Sequence, residues 1–263
     1  MARTLVEAAH VALACLDLTS LNDDDNEARI AALCERAAPR RVGTRLRGPV
    51  AAVCVWPRFA AFARSRLAQS IGVAAVANFP AGGSDIERAV RDTGEIVQAG
   101  AQEVDVVLPY RALLAGDTHA CVALLEAVRR ACEGLLLKVI LETGELRERA
   151  LIEHAARLAL DVGADFIKTS TGKTPLSATP QAAQAMLGVI AGDARARGHV
   201  GFKASGGIRG VADAAVYLDL VEAALGAESL VPARFRIGAS ALLGDIEAML
   251  GGETPRPTPA NPY

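Results

Sequence analysis

Short apolar runs alternate with longer amphipathic stretches along the whole chain, a pattern that predicts repeated βα units around a parallel sheet. The runs that read as strands are Leu13–Thr19, Val50–Trp56, Gly72–Phe79, Glu103–Pro109, Leu136–Thr143, Phe166–Ser170, Val200–Ser205 and Phe235–Ala239. Helical periodicity covers about 26–38, 57–70, 84–99, 117–132, 145–162, 177–197, 211–225 and 240–250. Pro57 suits a first helical position. Ser84-Asp-Ile-Glu87 has the spacing of a capping box with Ser84 as the cap, and Gly100 and Gly163 suit helix C-termini. Eight such units in about 250 residues predict a (β/α)8 TIM barrel, an α/β fold, with a short N-terminal helix at about 3–11. An open, doubly wound sheet is the competing arrangement, because periodicity alone does not show closure. No linker divides 1–250, which reads as one barrel domain, whereas 251–263 is rich in Pro and Gly and reads as a flexible C-terminal tail.

Composition narrows the partners. Hydrophobic residues make up 51% of the 263 and aromatics only 4%, as suits parallel strands covered on both faces. A formal net charge of −2 gives no electrostatic reason to bind nucleic acid or an anionic membrane, so a small molecule is the expected partner. The five cysteines are odd in number and lack CxxC spacing, which argues against a disulfide framework or a zinc site and fits a reducing cytoplasm. Glu7, His10 and Asp17 interrupt the N-terminal apolar stretch, so no signal peptide is expected, and no apolar run reaches the roughly 18 residues of a membrane span. The histidines (His10, His119, His154, His199) share no ligand spacing, and no metal is expected.

The chemistry lies in charged residues inside apolar strands. Lys168 in Phe166-Ile-Lys168 and Lys203 in Gly201-Phe-Lys203 belong to runs that should be buried. A buried lysine is either paired with a carboxylate or inclined to lose its proton, and the neutral amine can form a Schiff base with a carbonyl. Side-chain alternation places Lys168 with Ser170, and Lys203 with Gly201 and Ser205, on the barrel lumen. Neighbouring strands are about 4.8 Å apart, so the two amines can approach, each making the other easier to deprotonate. Asp105 shares the lumen with Glu103 and Val107, where it can hold Lys203 protonated or pass a proton through water. Asp17, Lys138 and Glu142 extend this polar set as supporting residues. Cys54 lies within a strand and reads as a packed thiol, with the substrate pocket as its other setting. Glycines follow the last three strands, in Gly172-Lys173, Gly206-Gly207-Ile-Arg209 and Gly238-Ala-Ser240. Barrels usually bind phosphate there, with backbone N–H groups and a cation meeting the anion.

These strings, with Leu16-Asp-Leu-Thr19, Glu103-Val-Asp-Val-Val107 and Leu137-Lys-Val-Ile-Leu-Glu-Thr-Gly144, resemble the deoxyribose-phosphate aldolase family along essentially the whole chain. The resemblance implies reversible cleavage of 2-deoxy-D-ribose 5-phosphate to D-glyceraldehyde 3-phosphate and acetaldehyde by a class I mechanism, without metal or other cofactor. It implies Lys168 as the Schiff-base lysine, Lys203 as the neighbour that lowers its proton affinity and Asp105 as the proton-relay partner. Gly172, Lys173, Gly206, Gly207, Arg209, Gly238 and Ser240 match phosphate-binding positions, and Tyr263 resembles a C-terminal tyrosine that assists proton transfer in some members. Ala241 departs from the pattern where some members carry a second serine; a neutral hydroxyl hydrogen bond contributes about 1 kcal/mol, so phosphate affinity is expected to fall several-fold. Phosphorylated sugars and aldehydes are the expected partners and a homodimer the assembly expected. The alternatives are another lysine-dependent phospho-sugar aldolase and a silent phospho-sugar binding protein, the latter disfavoured by Lys168, Lys203 and Asp105 together.

Overall fold

The computed structural model describes residues 3–42 and 45–251. Its strands are β1 (Leu16–Thr19), β2 (Arg40–Val42), β3 (Arg45–Arg47), β4 (Ala52–Val55), β5 (Gly72–Ala77), β6 (Glu103–Val107), β7 (Leu136–Ile140), β8 (Phe166–Lys168), β9 (Gly201–Ser205) and β10 (Phe235–Ala239). β1 and β4 to β10 form a closed parallel barrel in that order, and β10 returns to β1 with Leu16, Asp17 and Leu18 opposite Ile237, Gly238 and Ala239. Closure decides against the open sheet.

Each barrel strand carries apolar residues on its outer face, where helices cover them, while its inner face is free to hold other chemistry. Phe202 and Phe235 show the rule: each stands one residue before a charged inward residue, and their rings stack at 6.4 Å between centroids. The barrel centre is unusual, because Lys138, Lys168 and Lys203 are among the largest fully buried side chains of the protein. Helix starts are set by local capping: Asn26 accepts from the Arg29 N–H, Asp117 from Ala120, and Thr179 from Ala182 just before Pro180.

Several boundaries differ from those the sequence predicts. The N-terminal helix runs Leu5–Ala14, capped by a Thr4–Glu7 box, so Leu13 and Ala14 belong to it and the first strand begins at Leu16. One apolar run spans both elements, and hydrophobicity cannot mark a boundary inside it. Ser84 is not a cap. Asp85 accepts from the Arg88 N–H at 2.9 Å, and the helix is Ile86–Gln98. The helix expected at 145–162 is divided into Thr143–Leu146 and Arg149–Asp161, with Arg147 between them in a left-handed conformation (φ 58°). The antiparallel β2–β3 ribbon was not foreseen; buried Arg47 fastens it to the last helix, Leu242–Gly251, through Glu247 at 3.0 Å. No helix among the described residues is long and apolar enough to cross a membrane.

Candidate active site

Strand register brings the inward charges together. Asp105 on β6 is level with Lys138 on β7, Lys168 on β8 with Lys203 on β9, and Lys203 with Arg236 on β10. All five side chains point into one buried cluster completed by Asp17 on β1 and Glu103 on β6.

Asp105 is its hub. Oδ1 accepts from Lys138 Nζ at 2.8 Å, while Oδ2 accepts from Lys168 Nζ at 3.0 Å and from Lys203 Nζ at 2.8 Å. Lys203 also donates to Asp17, and Lys138 to Glu103. Arg236 donates to Asp17 Oδ1 at 2.6 Å and to Glu103 Oε1 at 2.8 Å. Burial by itself would drive the Asp17 and Asp105 carboxyls toward the neutral acid, but the surrounding cations reverse this and hold both below the usual carboxylate range. Burial would likewise strip the proton from Lys203, yet Asp105 and Asp17 hold it well above the usual lysine range. Lys138 is also raised, by Asp105 and Glu103 against burial.

Lys168 differs from the others in its contacts. It has one carboxylate partner, Asp105 Oδ2, and shares that oxygen with Lys203, whereas Lys138, Lys203 and Arg236 each bind at least two carboxylates. Of the cluster's amines it is the least tied to a negative charge. Cys54 faces this centre, with Sγ 4.0 Å from Asp105 Oδ2, and burial raises its thiol, so it contributes bulk beside the hub rather than a thiolate.

Above the cluster, at the C-terminal ends of the strands, lies a cavity of about 300 Å³. Gly172, Lys173, Gly206, Gly207, Arg209, Gly238 and Ser240 all line it, and so does Ala241. Gly172, Gly206 and Gly207 have φ of 80°, 89° and 82°, the left-handed region that turns successive N–H groups toward a bound anion. Gly238 serves a different need: a Cβ there would stand 2.7 Å from Ser205 Oγ and 3.1 Å from Lys203 Cε. Its missing side chain leaves the path of Lys203 open beneath the cavity. Lys173, Arg209 and Arg36 supply cationic lining, and none of the lining residues is acidic.

Glu142 occupies the end of the β7 unit in a left-handed conformation (φ 57°) and braces this rim. Its carboxylate accepts from Thr171 Oγ1 at 2.6 Å, Thr171 N–H at 3.2 Å and Thr174 Oγ1 at 3.3 Å. Burial raises its carboxyl. Lys138 and Asp17 lie within the ion-pair cluster, with no exposure to the cavity, and Tyr263 lies outside the described residues.

Sequence reasoning missed two contributors. Arg236 had the same signal as the lysines, a charge at inward parity inside the apolar run Phe235–Ala239, two residues before Gly238. Arg36 had none. It belongs to the helix Glu27–Ala37, and it reaches the cavity because helical side chains lean toward the helix N-terminus.

The closed barrel, with buried lysines beneath a cationic, glycine-rimmed cavity, has the architecture of a (β/α)8-barrel aldolase. The chain belongs to the DeoC/LacD family of aldolases, whose family model matches residues 11–245. It is 28% identical to a Coccidioides immitis protein assigned as a deoxyribose-phosphate aldolase (92% of this chain, 87% of that chain, TM-score 0.76). It is 29% identical to the aldolase QR15 (91% and 96%, TM-score 0.74). A Toxoplasma gondii ME49 protein, also assigned as a deoxyribose-phosphate aldolase, is 25% identical (94% and 98%, TM-score 0.83).

Proposed function

We propose that the protein cleaves 2-deoxy-D-ribose 5-phosphate reversibly to D-glyceraldehyde 3-phosphate and acetaldehyde through a Schiff base on Lys168. The observation that carries the reading is the unequal pairing of the lysines: Lys138 and Lys203 are saturated with carboxylates, while Lys168 has half of one. The amine with least to lose on deprotonation is the one to act as nucleophile.

In the reaction, the Lys168 lone pair adds to the C1 aldehyde of the open-chain sugar, and loss of water leaves an iminium. A base takes the C3 hydroxyl proton, the C2–C3 electron pair moves toward the iminium, and glyceraldehyde 3-phosphate departs. The remaining enamine takes a proton at C2, and water then releases acetaldehyde and the free amine. Asp105, touching Lys168 and Lys203 through one oxygen, is suited to relay these protons through an intervening water. The phosphate would lie in the cavity rimmed by Gly172, Gly206 and Gly207, with Lys173 and Arg209 supplying charge. The C-terminal Tyr263 is assigned a part in the C2 proton step by resemblance alone.

The test is trapping. Acetaldehyde with borohydride should add one ethyl group, and peptide mass spectrometry should place it on Lys168; an adduct on Lys138 or Lys203 would overturn the assignment. Turnover with acetaldehyde as donor, against none with dihydroxyacetone phosphate, separates this activity from other phospho-sugar aldolases.

A further inference from the structure

We propose that Arg236 is a positioning residue that sets the proton count of the lysine cluster: its permanent charge makes one proton surplus, and that proton leaves from Lys168. The inference rests on Lys168 being the Schiff-base lysine. Four cationic side chains (Lys138, Lys168, Lys203, Arg236) meet three carboxylates (Asp17, Glu103, Asp105) in this buried cluster. With every group ionised the cluster holds one unbalanced positive charge, and a low-dielectric interior penalises it strongly. Arginine does not deprotonate in proteins, so the surplus proton must come from a lysine. Lys168 has the fewest carboxylate contacts and yields it at least cost.

The remaining neighbours leave this balance in place. Cys15, just before β1, and Cys54 on β4 are thiols that burial keeps protonated, and His10, which lines the cavity beside Arg236 and Glu103, makes no ion pair with either. β5, Gly72-Val-Ala-Ala-Val-Ala77, carries no titratable side chain. Glu142, at the end of the β7 unit, is bonded to Thr171 and Thr174 and makes no ion pair with the four cations. Arg236 itself stays away from the reacting atoms. It lies over the Phe166 ring, at 5.7 Å from the centroid, one inward position below Lys168 on β8. With Glu103 it lines a cavity of about 650 Å³ among the N-terminal ends of the strands, opposite the glycine-rimmed cavity. Its influence is therefore carried by charge, through Asp17 and Glu103, and not by contact with substrate.

Charge counting gives signs that loss of packing does not. Arg236→Met leaves three cations and three carboxylates, so all lysines keep their protons. The midpoint of acetaldehyde trapping against pH, read with cyanoborohydride as the reductant, should rise by about one unit, with trapping at neutral pH about tenfold slower. Glu103→Gln makes two charges surplus, and its midpoint should fall below that of the parent. The double variant restores one surplus charge, and its midpoint should return toward the parent's. An unmoved or lowered midpoint in Arg236→Met, or a double variant no nearer the parent than Arg236→Met, overturns the proposal. Should Arg236→Met not fold, Glu103→Gln decides alone: a midpoint at or above the parent's overturns it. A parent that gives no Lys168 adduct at any pH removes the Schiff-base reading and this inference with it. An adduct on Lys168 with unmoved midpoints removes the inference alone.

Discussion

Lys168 and Lys203 donate to the same oxygen, Oδ2 of Asp105, at 3.0 and 2.8 Å. Sharing leaves neither amine a full counter-charge from that atom. Lys203 recovers one from Asp17, and Lys168 has no second carboxylate. The pair is thus unequal by construction, with Lys203 bound by two carboxylates and Lys168 by a share of one.

Replacing Lys203 should act in two ways. Lys203→Leu removes a buried cation that pairs with Asp17 and Asp105, and breaking such a pair costs about 3–5 kcal/mol of stability. The surviving charges also balance, so residual turnover should rise with pH over a higher range than in the parent. A pH profile of unchanged shape would count against the electrostatic role.

Asp105→Asn separates proton relay from nucleophile activation. Losing the carboxylate makes the cluster more positive, so borohydride trapping on Lys168 should persist and extend to lower pH. Turnover should fall by about 10²–10⁴, the usual contribution of a positioned acid or base. If trapping and turnover fall together, Asp105 orients the lysines and does not relay protons.

Arg209→Ala tests the cavity. One charge-assisted contact is lost, so kcat/KM for deoxyribose 5-phosphate should drop by about 10–100-fold. Unphosphorylated deoxyribose should be affected less than threefold, and equal losses on both substrates would remove the phosphate assignment.

Acid should unfold the barrel from its centre. Asp17 and Asp105 are held below the usual carboxylate range, so they stabilise the fold above the unfolded aspartate value of about 3.9, and that stability is lost as pH falls through their lowered values. Glu142 acts in the opposite sense, since its raised carboxyl favours the fold in acid, but it is one group against two. Lys203 is raised, so its contribution is complete below about 10.4 and is lost only in strong alkali. Urea midpoints should therefore be flat from neutral pH to about 9 and should decline below about pH 4; the Asp17→Asn/Lys203→Leu double variant should show a shallower acid decline.

The amino-acid pattern alone determined the eight βα units, the inward parity of Asp105, Lys168 and Lys203, and the placing of glycines after the last three strands. Those features follow from local periodicity and from the expense of charge within apolar strands, both of which are written along the chain. The same parity places Arg236 inward, two residues before Gly238. Which carboxylate meets which lysine was beyond it, because barrel closure sets β1 against β10 and brings Asp17 to Lys203 across 186 positions of sequence. Nor could it show that Asp105 serves three lysines at once, or that Arg36 extends from a helix into the cavity. The helix starting at Ile86 and the division at Arg147 were hidden for a related reason, since a capping bond and a left-handed residue are matters of local geometry that hydrophobic period does not record. Sequence specifies which side chains face inward; only the stagger of a closed sheet decides their neighbours, and with them which carboxylates each lysine meets.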